Sequence, residues 1–140
     1  MNIVNSPSAA GDTPSGTASS NLISESTFHQ RVDAILSAIE SAMDDVPCDI
    51  DAELNAGILT LTFANGTKVI VNRQTPLREI WVAAKSGGFH FKFDDAVALA
   101  SMSPTAQHRW KDTRSGETLE ALLSRVVSEQ SANVISITFA

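Results

Sequence analysis

Eight carboxylates fall between residues 24 and 55: Glu25, Asp33, Glu40, Asp44, Asp45, Asp49, Asp51 and Glu53, against one base, Arg31. The block carries a net charge of −7, whereas residues 56–140 hold nine bases and seven acids, and Asp12 completes the −6 of the whole chain. An array of oxygen ligands without counter-charge suits hard cations, or a transition metal held loosely with an occasional imidazole. The spacing is not that of a closed site. It contains no His-x-x-x-His, no Glu-x-x-His and no calcium-loop glycine pattern. Ion binding here is expected to be weak, exposed and shared among several ions. A second reading stays open: a solvated surface whose charges guard an edge strand against aggregation.

Two elements must position these acids. Ser24 is suited to cap a helix, and Phe28, Val32, Ile35, Leu36, Ile39 and Met43 then recur at helical spacing until Pro47. The pattern predicts a first helix over residues 25–45. With Val32 at zero on the helical wheel, His29, Glu40, Asp33 and Asp44 fall at about 60°, 80°, 100° and 120°, a polar stripe beside the buried one. His29 with Asp33, and Glu40 with Asp44, are i, i+4 pairs. A first strand over 49–54 places Asp49, Asp51 and Glu53 on one face, about 6.6–6.8 Å apart, with Ile50, Ala52 and Leu54 on the other. The short connection predicts that the helical and strand rows of acids run close together. No Lys or Arg within the block after Arg31 is available to neutralise them.

Downstream, alternating runs separated by turn signals predict strands over 58–63, 68–72, 79–84, 89–93 and 109–112. The turns are expected at Asn55-Ala56-Gly57, Ala64-Asn65-Gly66 and Gly87-Gly88, with a break at Gln74-Thr75-Pro76. Thr118 is suited to cap a second helix carrying Leu119, Leu122, Leu123, Val126 and Val127. The terminal run Val134–Phe139 is either a short strand or an extended tail packed on the helices. The order implies an α+β fold: a two-layer α/β sandwich, its antiparallel sheet of five to six strands covered on one face by the N- and C-terminal helices. If Ile80 and Val82 face the helices, Trp81 projects from the open face near Asn72 and Gln74, as an interface anchor. The inverted assignment would bury Trp81.

Other residues carry less. Cys48, the single cysteine, excludes an internal disulfide and a multi-cysteine metal site, and reads as a small packed residue. His90 and His108 read as hydrogen-bonded neighbours of strands. No glycine-rich phosphate loop lies between a strand and a helix. The acidic balance, with a pI near 4.9, argues against non-specific nucleic-acid binding and favours cations or a basic protein partner. No apolar run is long enough for a membrane span. Residues 5–20 contain eleven Ser, Thr, Gly or Pro among sixteen and no large hydrophobe. Residues 1–21 are therefore expected to be a disordered tail, with a single domain over 22–140. The absence of export or transit features fits the cytoplasm.

The stretch Asn72-Arg73-Gln74-Thr75-Pro76-Leu77-Arg78-Glu79-Ile80-Trp81-Val82-Ala83-Ala84 resembles the signature of the frataxin family. The likeness continues through Gly87-Gly88-Phe89-His90-Phe91 and resumes at Trp110-Lys111-Asp112-Thr113-Arg114-Ser115-Gly116-Glu117. Phe28-His29, Asp44-Asp45 and the segment from Asp49 to Glu53 resemble its bacterial branch. The resemblance implies a role in iron–sulfur cluster assembly. Iron would bind weakly on a ridge formed here by His29, Asp33, Glu40, Asp44, Asp45, Asp49, Asp51 and Glu53. Cysteine desulfurase and the scaffold protein would be the partners, met by Glu40, Asp44, Asp45, Asn72, Gln74 and Trp81. It also implies a monomer and leaves iron-induced oligomers open.

The chain departs from the family pattern in three places. The helix-to-strand turn is Val46-Pro47-Cys48 where bacterial members are often acidic. Ser41 follows Glu40 where a second acid is common. Residues 94–108 replace a short hairpin turn, with Asp94 suited to cap a short helix to about Ser101. The leading functional expectation is a non-enzymatic iron-binding regulator or delivery factor. The alternative is an iron-oxidising or iron-storing protein, although nothing resembles a facial two-His-one-carboxylate set.

Overall fold

The computed structural model describes residues 23–94 and 110–139. The expected disordered tail, the proposed start at Leu22, the short helix after Asp94, His108 and Arg109 lie outside the described residues.

Helix α1 spans Glu25–Met43. Ser24 caps it, its hydroxyl accepting from the Thr27 N–H at 3.1 Å. Phe28, Val32, Ile35, Leu36, Ile39 and Met43 are all buried on one stripe. The helix stops two residues before the expected end at 45. Asp44 and Asp45 donate their N–H groups to Ser41 and Ala42 in a tightened final turn ahead of Pro47.

Six strands follow, β1 Ile50–Asn55, β2 Ile58–Phe63, β3 Lys68–Gln74, β4 Glu79–Ala84, β5 Gly87–Phe93 and β6 Trp110–Asp112. They form one antiparallel sheet in chain order, with β1 and β6 at its edges. Helix α2, Leu119–Ser131, is capped by the Thr118 hydroxyl. The two helices cover one sheet face, and their apolar stripes meet Leu59, Leu61, Val69, Val71, Ile80, Val82 and Phe91 in a single core. The two-layer sandwich is therefore the observed fold.

Several boundaries differ from the sequence-based expectation. β1 begins at Ile50 and ends at Asn55, one residue later than expected at each end. β3 continues to Gln74 before a 3-10 turn over Thr75–Leu77. Gly87 and Gly88 are not the turn. They continue β5 opposite Ala84 and Ala83, and Lys85-Ser86 turns the chain. The first hairpin bends through Ala56 and Gly57, both at positive φ, as a tight two-residue hairpin requires.

Residues 134–139 form no strand. Ile135, Ile137 and Phe139 turn inward and are buried, while Val134 is exposed. The hydroxyls of Ser128 and Ser124 accept the Ile135 and Ile137 N–H groups at 2.8 and 2.7 Å. The tail thus lies extended along α2, and with Ala42, Asp45 and Val46 it borders a cavity of about 190 Å³ at the end of α1. Gln130 fastens the opposite end, donating to the Thr67 hydroxyl and the Lys68 carbonyl and accepting the Lys85 N–H.

Candidate functional site: an acidic edge and an open sheet face

The polar stripe of α1 divides into two unlike halves. At its N-terminal half, Arg73 reaches in from β3. Val69, Val71 and Arg73 share the helix-covered side of that strand by alternation, and Val69 and Val71 are buried. The Arg73 guanidinium donates to Asp33 Oδ1 at 2.5 Å and to His29 Nδ1 at 2.8 Å. A guanidinium has no acceptor, so this bond requires a bare Nδ1 and places the proton of neutral His29 on Nε2. Nε2 lies 3.6 Å from Glu25 Oε2. A Cβ on Gly57 would meet the same guanidinium at 3.5 Å, so the first hairpin turn runs beside it. Arg31 points elsewhere, its guanidinium 3.8 Å from the centroid of the Phe93 ring.

The other half has no such counter-ion. Glu40 is half-buried, and Asp44, Asp45, Asp49, Asp51 and Glu53 are exposed. Among the described residues none of these six forms an ion pair. Asp44 and Asp45 end a helix with no base in its last turn, where the helix dipole is already negative. Among the described residues no three His, Cys, Asp or Glu side chains converge into a set able to hold a metal ion. Such exposed carboxylates are suited to a hydrated cation held loosely.

The two rows of acids, expected to run close together, do not share a face of the sheet. The register sets Asp51 opposite Thr62 and Glu53 opposite Thr60, while Ala52 lies opposite buried Leu61. The same parity that turns Ile50 and Ala52 to the core turns Asp51 and Glu53 to the open face. Helix α1 packs beside β1 on the other side of the sheet. The acids therefore wrap the β1 edge. Lys68 stands two strands from Asp51, with Thr62 between them.

That open face carries the second candidate surface. Ile80 and Val82 are buried, so Trp81 projects outward. Asn72, Trp81 and His90 lie directly opposite one another across β3, β4 and β5; Gln74, Glu79 and Lys92 form the next row. Trp81 and His90 are stacked, with ring centroids 4.2 Å apart and planes 7° from parallel. The indole Nε1 donates to Glu79 Oε1 at 2.8 Å, and His90 Nδ1 lies 3.8 Å from the same oxygen. Glu79 is 7% exposed. Glu53 on β1 shares its row with Ala83 on β4, so by strand spacing it is about 16 Å from Trp81 along the same face. Cys48 is half-buried beside the core and takes no part in either surface. Across the molecule, the hydrogen bond from Arg125 to Glu117 holds that guanidinium above its ordinary pKa.

Sequence reasoning left out Arg73 and Glu79 as site residues and gave His90 no more than a neighbour's role. For Glu79 a signal existed: two residues before Trp81, it must share the indole's face. For Arg73 the alternation with Val69 and Val71 was legible, but its reach to α1 depends on a contact across 40 residues of chain.

The fold and these surfaces define a small helix-flanked sandwich that presents an acidic edge and an aromatic-centred sheet to its surroundings. The model of the frataxin-like domain matches residues 21–133, and the chain belongs to the frataxin family. The iron–sulfur cluster assembly protein CyaY of Paraburkholderia phymatum is 43% identical over 115 residues, covering 82% of this chain and 98% of that protein. The CyaY of Pseudomonas aeruginosa is 45% identical over 108 residues, covering 77% and 91%. Among solved structures, frataxin from Psychromonas ingrahamii superposes with a TM-score of 0.68 at 31% identity, over 81% of this chain and 97% of that one. Yeast frataxin, at 23% identity and a TM-score of 0.52, shares the fold. No helix among the described residues is long and apolar enough to cross a membrane.

Proposed function

We propose that this chain is an iron-binding, non-enzymatic regulator and iron-delivery factor of iron–sulfur cluster assembly, acting on the cysteine desulfurase complex in the cytoplasm. Relatives named as iron–sulfur cluster assembly proteins support the process. The observation that carries the mechanism is the run of six carboxylates, Glu40 to Glu53, around the β1 edge, without an ion pair among the described residues. Like charges on one helical turn and at a negative helix end oppose each other, and a bound cation relieves both effects. Ferrous iron is the cargo that these oxygens attract, keeping most of its water. A basic patch on the desulfurase is drawn by the same field, so iron and partner compete for one set of carboxylates. That competition lets the iron level set the docking, and through docking the assembly rate. Asn72, Gln74 and Trp81 add contacts with little charge on the adjoining open face.

The test is a reconstituted assembly reaction containing desulfurase, scaffold, cysteine and ferrous iron under anaerobic conditions. Adding this protein at stoichiometric amounts is expected to change the initial rate of cluster formation, with a size that depends on the iron concentration. An identical rate with and without the protein, at low and at high iron, would refute the reading.

A further inference from the structure

From the open face we infer that Glu79 and His90 are positioning residues, which hold Trp81 in the conformation that meets the protein partner. This rests on the docking role proposed above for Trp81 and adds the residues that prepare it. An unsupported indole on a sheet surface samples several rotamers, and fixing one upon docking weakens binding. Here two neighbours fix it beforehand. The imidazole of His90, directly cross-strand, covers one indole face at 4.2 Å in a nearly parallel stack. The carboxylate of Glu79, on the same strand, accepts the only polar hydrogen of the ring at 2.8 Å. Glu79 can do this because it is almost wholly buried against the sheet, so its own position is fixed by packing. With one face stacked and the N–H engaged, the half-buried indole keeps its remaining surface, between His90 and Asn72, for a partner. A partner that fits brings an apolar or aliphatic side chain to that surface and polar groups to Asn72 and Gln74.

Positioning and simple structural support give different results. In protein with ¹⁵N-labelled tryptophan, the indole N–H of Trp81, assigned from its loss in Trp81→Phe, is expected to exchange with water slowly in the wild type and at least about tenfold faster in Glu79→Ala. Glu79→Gln keeps an acceptor oxygen and His90→Phe keeps a stacking ring, so each should restore slow exchange. Affinity for the desulfurase–scaffold complex is then measured at fixed salt. Trp81→Ala is expected to weaken it about tenfold or more, and Glu79→Ala and His90→Ala by about threefold to tenfold. Glu79→Gln and His90→Phe should stay within about twofold of wild type. Adding His90→Ala to Trp81→Ala should cost nothing further, because the residue acts through the indole. If Glu79→Ala and His90→Ala bind as tightly as wild type while Trp81→Ala does not, the positioning inference is overturned and the docking role stands. If Trp81→Ala itself binds as wild type, the docking role of this face fails, whatever the exchange rates show.

Discussion

The two halves of helix α1 carry the same kind of side chain to different ends. At the N-terminal half, Asp33 and His29 are tied to Arg73, and Glu25 lies at the helix start, where a negative charge is favoured. At the C-terminal half, Asp44 and Asp45 sit where the helix dipole disfavours them, with no ion pair among the described residues. An acid placed well for folding and paired internally belongs to the structure. An acid placed badly for folding and left unpaired is available to a cation from outside. A contiguous ridge of eight ligands, implied by the family resemblance, is thus divided here by one guanidinium from β3. His29 shows the consequence most clearly. Its Nδ1 lone pair is engaged by Arg73 and its other nitrogen carries the proton, so an ion could use His29 only after displacing Arg73 or that proton.

Reversing the sign of the C-terminal half should have the largest effect. Asp44→Lys with Asp45→Lys leaves the buried stripe of α1 untouched and places bases where the helix dipole favours them. The double variant is expected to fold with an unchanged or slightly higher melting temperature and to bind desulfurase at least about tenfold more weakly. Wild-type affinity should fall steeply between low and physiological salt, as exposed charge attraction does, whereas Trp81→Ala should lower affinity with much less change in salt slope. If the double variant binds as wild type at matched salt, the C-terminal half is not the docking surface.

Removing the internal cation should make the halves alike. In an anaerobic ferrous titration of the wild type, amide signals of Glu40, Asp44, Asp45 and Asp49 to Glu53 are expected to broaden first, with His29 and Asp33 responding only at higher iron. In Arg73→Gln the set Glu25, His29 and Asp33, spaced one turn apart along the helix, loses its guanidinium. It should then respond at the same iron concentration as the C-terminal half. The variant should lose about 1–2 kcal/mol of stability, since a partly buried guanidinium gives up its bonds to an exposed carboxylate and to an imidazole. Equal broadening of Asp33 and Asp44 in the wild type would show that Arg73 does not shield the N-terminal half.

How much of this was legible in the sequence depends on the range of the contact. The hairpin at Ala64-Asn65-Gly66 is local chemistry. Asn65 accepts the Thr67 N–H at 3.0 Å and Gly66 takes φ +87°, so the turn could be read from three residues. The apolar stripe of α1 and the outward face of Trp81 are periodicities, and both were legible. The placement of Asp51 and Glu53 away from α1 was also within reach, since Ile50 and Ala52 must face the helices. Arg73 was not. Its alternation shows which side of the sheet it takes, but that it spans to His29 and Asp33 follows from how α1 lies across the end of β3. The glycines 87 and 88 misled for a different reason. They read as a turn because their conformational freedom suits one, yet the tight connection was made by Lys85-Ser86 and the pairing with Ala84 and Ala83 continued.

The smallest expected effect is also the closest comparison of the halves, because it adds one identical charge to each. Ser41 is exposed, three residues before Asp44 and four before Asp45, so Ser41→Glu extends the unpaired cluster in the last turn of α1. Each new like-charged neighbour costs about 0.2–0.5 kcal/mol on a helix surface. The melting temperature should therefore fall by about 2–4 °C at low salt, recovering as salt or ferrous iron is added. Ferrous affinity should rise about two- to threefold, because the added carboxylate works on an ion that no internal base already satisfies. Gln30→Glu puts the same charge in the N-terminal half, three residues before Asp33 and near the positive end of the helix. There the dipole favours it and Arg73 already holds the neighbouring Asp33, so the melting temperature should stay level or rise and the ferrous affinity should not change. Equal gains in iron affinity from both variants would mean that the stripe responds as one continuous field, and that its division by Arg73 has no consequence for the ion.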